Sequence, residues 1–189
     1  MSGRDTSSKY CIIGAGPSGL SVAKNFLQRN ISIDCFESER EIGGNWLFGG
    51  GASCIYESTY MISSKRLTQF VDFKMPSSFP EYPNHRQVLE YLRSYANYFG
   101  LRKHIHFGMR VERIWPNDQK WLVKLRGEER ARQYAGVVIA NGHHSDPYQP
   151  QLAGHFSGEV IHSCDYKTRE QLKSKRVLVV GGGNSGCDI

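Results

Sequence analysis

The most constraining feature of this sequence is a glycine turn set between a short apolar run and an amphipathic stretch. Lys9-Tyr10-Cys11-Ile12-Ile13 reads as a strand, Gly14-Ala15-Gly16-Pro17-Ser18-Gly19 as a tight turn, and Leu20, Val22, Ala23, Phe26 and Leu27 as the apolar face of a helix that stops near Gln28-Arg29-Asn30. In Gly14-x-Gly16-x-x-Gly19 the first glycine permits the turn, the second lets a phosphate approach the backbone, and the third lets helix and strand pack closely. Ile31-Ser32-Ile33-Asp34-Cys35-Phe36 then alternates as a second strand and ends at Glu37, an acid placed to reach ribose hydroxyls. The unit is βαβ with a right-handed crossover. A dinucleotide site is the reading this context favours over a purely structural glycine turn.

The pattern returns near the end of the chain. Arg176-Val177-Leu178-Val179-Val180 repeats the first strand, and Gly181-Gly182-Gly183-Asn184-Ser185-Gly186 repeats the turn before the chain stops at Ile189. Two such turns suggest a flavoprotein with FAD at the first and a nicotinamide cofactor at the second. Because the second unit lacks its crossover, the expectation is an N-terminal piece of a longer protein.

Between the turns, residues 41–83 form a long loop with little periodicity, including Gly49-Gly50-Gly51, Pro76, Pro80 and Pro83. A loop of that length in a compact domain is usually functional. Asn84 and Gln87 form a capping box for a helix buried along Val88, Leu92, Tyr95 and Phe99 and ended by Gly100. That helix is expected to be scaffold. Residues 104–135 read as an antiparallel β-meander: strands near Ile105–Phe107 and Val111–Trp115, a turn at Pro116-Asn117-Asp118, and a return strand with Trp121, Val123 and Leu125 on one face. Gly136-Val137-Val138-Ile139-Ala140 suits a central parallel strand. The fold class predicted is α/β, a three-layer FAD/NAD(P)-binding Rossmann-like domain over 1–155, with a linker and the start of a second dinucleotide-binding domain over 156–189.

Composition narrows the function classes. There are 24 Lys+Arg against 18 Asp+Glu, a net charge of +6, but the basic residues are dispersed among acids. This suits anionic cofactors and argues against nucleic acid. No apolar run approaches the ~20 residues of a membrane helix. Met1-Ser2-Gly3-Arg4-Asp5 carries no secretory hydrophobic region, so the expected address is cytoplasmic. The five cysteines, Cys11, Cys35, Cys54, Cys164 and Cys187, contain no C-x-x-C and read as buried or incidental thiols. With Cys54 isolated after Glu41-Ile42-Gly43-Gly44-Asn45-Trp46, the dithiol relay of a flavin disulfide reductase is excluded, and no metal site is expected.

Further segments carry a family resemblance. Phe156-x-Gly158-x-x-x-His162-Ser163-x-x-Tyr166-Lys167 resembles the signature shared by flavin-containing and Baeyer-Villiger monooxygenases, and Tyr166 favours the flavin-containing branch. Gly43-Gly44-Asn45-Trp46 is similar to that branch's G-G-x-W, Asp72-Phe73-x-Met75-Pro76 to its D-F-P-(F/M)-P, and Asn184-Ser185-Gly186-Cys187-Asp188-Ile189 to its N-S-G-x-D-(I/L). Taken singly, His162 also reads as a core histidine and Trp46 as packing.

The resemblance implies an NADPH- and O2-dependent monooxygenase acting through a flavin C4a-hydroperoxide on nitrogen, sulfur or a ketone carbon. It implies that Gly14, Ala15, Gly16, Pro17, Ser18, Gly19 and Glu37 hold the FAD pyrophosphate and ribose. Gly44, Asn45 and Trp46 would lie near the flavin, and Val111 would meet the adenine end. Gly181, Gly183, Asn184, Ser185 and Gly186 would hold the NADP pyrophosphate, and His162 with Tyr166 would tie the two domains together. One departure stands out: where the family has the Asn of N-(T/S)-x-K, this chain has Ile62-Ser63-Ser64-Lys65. Ile62 cannot donate a hydrogen bond, which leaves Ser63 or Ser64 to stand in. The expected partners are a small-molecule substrate and O2, with a homodimer open. The alternatives are an NADPH oxidase or reductase that releases peroxide, and an FAD-binding module without turnover.

Overall fold

The structure, a computed structural model, describes residues 6–51 and 53–189. The reading of Met1–Asp5 lies outside the described residues.

Four short parallel strands build the central sheet: β1 (Tyr10–Ile13), β2 (Ile33–Phe36), β3 (Ile105–His106) and β7 (Gly136–Ile139), in the order β3-β2-β1-β7. Their pairings are parallel, with Tyr10 opposite both Ile33 and Gly136. Between β3 and β7 the chain forms an antiparallel meander of β4 (Val111–Asn117), β5 (Lys120–Leu125) and β6 (Arg132–Tyr134). The helices are α1 (Pro17–Gln28), α2 (Lys65–Thr68), α3 (His85–Tyr98) and α4 (Asn184–Asp188).

The layering follows from the period-2 alternation of strand side chains. Ile12, Ile33, Cys35 and Val138 pack with Leu20 and Ala23 of α1 and with Val88, Tyr91, Leu92 and Tyr95 of α3. Cys11, Ile13, Phe36 and Val137 point the other way, onto Val123 and Leu125 of β5 and Tyr134 of β6. Helices, parallel sheet and meander are thus the three layers, and the core strands read as apolar runs because both sheet faces are covered.

Helix α3 is capped as its sequence implies. The Asn84 side chain accepts from the Gln87 N–H (3.0 Å), and Gln87 Oε1 accepts from the Asn84 N–H (3.1 Å). Beyond scaffolding, α3 holds down the long loop: the Tyr91 hydroxyl accepts from the Phe70 N–H and donates to the Phe73 carbonyl, while Phe70 and Phe73 pack on Tyr95. The loop itself contains a 3-10 turn, Gly44–Trp46, and α2.

Four sequence expectations are corrected. The segment near Ile105 belongs to the parallel sheet, not the meander, because it pairs with Cys35 and Phe36 of β2. Pro116 and Asn117 continue β4, and the turn falls at Asp118, whose φ is 53°. Gly136–Ile139 is an edge strand among the described residues, since only β1 pairs with it. Arg176–Val180 forms no strand: among the described residues nothing pairs with it, and Val177, Leu178, Val179 and Val180 are all exposed.

The alternation of β2 also conceals a polar knot. Asp34 is buried, yet it accepts from Lys9 Nζ (2.7 Å) and the Tyr134 hydroxyl (3.1 Å) and faces His106 at 3.6 Å. Burial alone would push its carboxyl up; the Lys9 hydrogen bond and charge, with Tyr134 and His106, outweigh it and hold the group below 3.8. A depressed acid stabilises the fold above its unfolded value, so this contribution is complete above pH 3.8 and falls away as the pH drops below it. Asp34→Asn is expected to cost about 2 kcal/mol at neutral pH. In denaturant titrations the gap between variant and parent should close on acidification below pH 3.8.

Candidate functional site

The first glycine turn sits at the carboxyl ends of β1 and β7, the edge where open α/β sheets bind ligands. The Gly14 N–H donates to the Phe36 carbonyl (2.8 Å), and its φ of +101° is one that L side chains rarely adopt. A Cβ at position 14 would overlap the Ala140 carbonyl oxygen, and one at position 19 would overlap the carbonyl oxygen of Gly14 itself. Both glycines are therefore required by close backbone approach. Gly16 caps α1 in an extended conformation, and Pro17 takes the first helical position, where its missing N–H costs nothing. Ser18 is exposed on the first turn, which contains no acid. The first N–H groups and positive dipole end of α1 thus face the edge with no acid from the helix's own first turn.

Glu37 is built into this turn. Its Oε2 accepts from the buried Ala15 N–H (2.7 Å), while Oε1 accepts from the Glu39 N–H (2.9 Å) and the Ser38 hydroxyl (3.2 Å). The acid is 5% exposed, so besides any ligand role it fixes β2 to the glycine turn. Beside it opens a cleft of about 520 Å³ lined by Ser38, Glu39, Gly51, Gly108, Arg110 and Arg126. Val111 follows the lining residue Arg110 in the chain but packs against the core between parallel sheet and meander, where β4 starts with an irregular register between Val111 and Arg113.

The Gly43–Trp46 turn closes onto the first. The Gly43 N–H donates to the Ala15 carbonyl (3.1 Å), and a Cβ on Gly44 would come within 3.0 Å of the Gly16 Cα. Asn45 is exposed but tied down: its carbonyl accepts from the Ser53 hydroxyl (2.7 Å) and its Oδ1 from the Cys54 N–H (3.1 Å). Trp46 packs against the helix-side core.

The second glycine turn reproduces the backbone of the first. Gly181 has φ +127°, Gly183 caps α4 in the same extended conformation as Gly16, and a Cβ at Gly186 would overlap the Gly181 carbonyl oxygen. Asn184 and Ser185 open α4. Farther along it, the Tyr56 hydroxyl donates to Asp188 Oδ2 (2.6 Å). Burial first and the Asp188 carboxylate second push that phenol up.

Tyr166 is 5% exposed and packs on Tyr56 with ring centroids 5.5 Å apart. Lys167 Nζ donates to the Ser53 carbonyl (2.9 Å), and its own carbonyl accepts from the Glu57 N–H (2.8 Å). His162 acts locally: its Nδ1 accepts from the Cys164 N–H (3.1 Å). Ile62 is 73% exposed, and the Ser63 hydroxyl is shared with Thr68 Oγ1 (2.8 Å). Among the described residues, neither of these two hydrogen-bonds to a glycine turn. The structure therefore gathers Gly14–Gly19, Glu37 and Gly43–Asn45 at one place and Tyr166 with the second turn at another, leaving Ile62 and Ser63 apart.

The cysteine reading needs a correction. Cys54 is not isolated; it forms a disulfide with Cys164, 110 residues away in sequence. Spacing rules detect local pairs, and this one exists only because the tertiary fold lays the two segments together. Cys11 and Cys35 are buried thiols as expected, both pushed up to about 12, chiefly by burial. Tyr56 and Arg110 were likewise missed, since nothing in the spacing marks them as contacts, and Lys167 stands out only as the residue that ends the signature.

A family model described as flavin-binding monooxygenase-like matches residues 7–189. The chain belongs to this family. It is 36% identical to flavin-containing monooxygenase 5 of Oryctolagus cuniculus and 36% identical to flavin-containing monooxygenase 3 of Homo sapiens, in each case over 96% of this chain and 37% of the relative. It thus spans little more than a third of these curated relatives. Among solved structures, a flavin-containing monooxygenase from Stenotrophomonas maltophilia superposes with a TM-score of 0.80 at 31% identity, covering 96% of this chain and 53% of that one. A cyclohexanone monooxygenase bound to epsilon-caprolactone gives 0.77 at 28%, covering 95% and 36%. Both monooxygenase branches are therefore among its relatives. No helix among the described residues is long and apolar enough to cross a membrane.

The backbone overlap at Gly19 gives a stability test. Gly19→Ala is expected to destabilise the protein by about 2–3 kcal/mol, the cost of overpacking against immobile backbone. Gly182→Ala, where a Cβ meets nothing within 4 Å, should leave thermal unfolding unchanged.

Proposed function

We propose that this chain binds FAD across its first glycine turn, and that the whole protein is an NADPH- and O2-dependent monooxygenase acting on a soft nitrogen or sulfur nucleophile or on a ketone. The observation that carries this is the joint formed by Gly14–Gly19, Glu37 and Gly43–Asn45, in a chain matched to the family from residue 7 to 189. The residues fit the group: no Cβ stands at Gly14, Gly16 or Gly19 to block approach to the turn, the first turn of α1 carries no acid of its own, and Glu37 is anchored beside an open cleft.

In this reading Gly14, Gly16, Ser18 and Gly19 hold the pyrophosphate on the N-terminus of α1. Glu37, held from below by the Ala15 N–H, presents its carboxylate edge to the ribose, and the adenine end lies in the cleft near Val111. Asn45 and Trp46 flank the flavin; the Cys54 N–H fixes the Asn45 side chain through Oδ1, and the Ser53 hydroxyl holds its backbone carbonyl. When bound, FAD supplies two-electron transfer from the nicotinamide and the activation of O2. The protein's share is positioning and the exclusion of water. Gly181, Gly183, Asn184, Ser185 and Gly186 hold the nicotinamide cofactor's pyrophosphate, while Tyr166 keeps that turn against the Tyr56 loop.

Ile62 favours a second reading, an NADPH oxidase that releases peroxide. The position carries no hydrogen-bond donor, and the neighbouring Ser63 hydroxyl is already engaged with Thr68.

The purified whole protein should show flavin absorption bands that bleach on anaerobic addition of NADPH; colourless protein would remove the basis of the proposal. Glu37→Gln should weaken FAD retention by roughly tenfold or more, since a charge-assisted hydrogen bond is lost. Ile62→Asn should raise the ratio of oxygenated product to H2O2, and an unchanged ratio would show that position 62 does not govern coupling.

A further inference from the structure

We propose that Cys54 and Cys164 are a redox-active pair that latches the segment 162–168 onto the loop carrying Asn45, closing on oxidation by a peroxide and opening on reduction by a small dithiol. The disulfide does not stand alone. It lies in a strap in which the Glu57 N–H donates to the Lys167 carbonyl, Lys167 Nζ donates to the carbonyls of Ser53 and Ile55, and Tyr56 packs on Tyr166. On one side the strap reaches Asn45 through the Cys54 N–H, and on the other it reaches α4 through Tyr56 and Asp188. Residues 141–161 and 173–184 are exposed throughout, so the strap is where this stretch of chain is held to the parallel-sheet domain.

Three features suit the pair to cycling and not only to stapling. Both cysteines are half-buried, within reach of a small reductant, in contrast to Cys11 and Cys35. The Lys167 ammonium sits on the carbonyl just before Cys54, and a nearby positive charge favours a thiolate. The reduced Cys54 thiol also has an acceptor waiting, the His144 carbonyl 3.5 Å away.

The chemistry balances with hydrogen peroxide as oxidant. One thiol loses its proton, the thiolate attacks a peroxide oxygen, the O–O bond breaks, and the leaving hydroxide takes up that proton, so a sulfenic acid and one water result. The second sulfur then displaces the sulfenic oxygen as water, forming the S–S bond. In the reverse direction a dithiol attacks the disulfide, leaves as its own cyclic disulfide, and passes two protons to the cysteine sulfurs.

The latch is independent of what the glycine turns bind, and its test needs no turnover. The full chain, prepared without reductant, should yield a 54–164 cross-linked peptide that dithiothreitol removes and H2O2 restores. Reduction should speed amide exchange across 162–168 and 184–188 by roughly tenfold or more, the signature of local release. Cys164→Ser should exchange like the reduced protein in either condition, and Cys187→Ser like the parent. Free, alkylatable Cys54 and Cys164 after peroxide treatment would overturn the proposal. So would a cross-link whose reduction leaves exchange in both segments unchanged, which would make it a static staple.

Discussion

The approach of Gly19 to the Gly14 carbonyl sets where α1 starts, how closely it lies on β1, and which way its N-terminus points. Because no Cβ fits at either position, the strand can turn directly into the helix, and the carbonyl of Ala140, just after β7, can press against the same point. The parallel sheet, the helix layer and the open edge between them all depend on that economy of space. Glu37 completes it from the neighbouring strand by taking the Ala15 N–H, so β2 and the turn move as one piece. A carboxylate that binds the turn from inside is already oriented and largely desolvated, which lowers the cost of ordering it around a ligand.

The rest of the described chain can be read as a set of supports for this joint. The long loop would have little structure by its own propensities, yet Gly43 and Gly44 seat it on the glycine turn and Tyr91 of α3 pins it farther along. The meander covers the opposite sheet face, and Arg110 and Arg126, at the ends of β4 and β5, line the cleft. Segment 162–168 reaches back to the loop through the Cys54–Cys164 bond, Lys167 and Tyr166. Flavoprotein monooxygenation depends on keeping a reactive cofactor dry while a second cofactor comes and goes. Under the proposed function, the stiff joint at the first turn and the strapped, otherwise exposed second turn would divide those two demands between separate parts of the chain.

The local signals were legible where the physics is local. The glycine turn, the stop of α1 at Arg29 and Asn30, and the Asn84–Gln87 capping box all involve residues a few positions apart, and the structure has each of them. The family signature was equally legible, because it is carried by residues in one short stretch. Strand partners were harder. Ile105 and His106 look no different from meander residues until β2 is beside them, and Val177–Val180 is as apolar as β1 but, among the described residues, has no neighbour to complete its hydrogen bonds.

What the sequence by itself determined was the βαβ unit, the cap of α3, the repeated glycine turn and the family, because steric limits on backbone and hydrogen bonds between near neighbours leave few alternatives. The tertiary structure alone decided the remainder. The pairing of Cys54 with Cys164 closes a 110-residue separation, the Tyr56–Asp188 bond closes 132, and the burial of Asp34 depends on a lysine and a tyrosine from two other strands' ends. No period or motif encodes such contacts. They exist because packing the layers brings distant groups together, and each group then takes the partner that its loss of water requires.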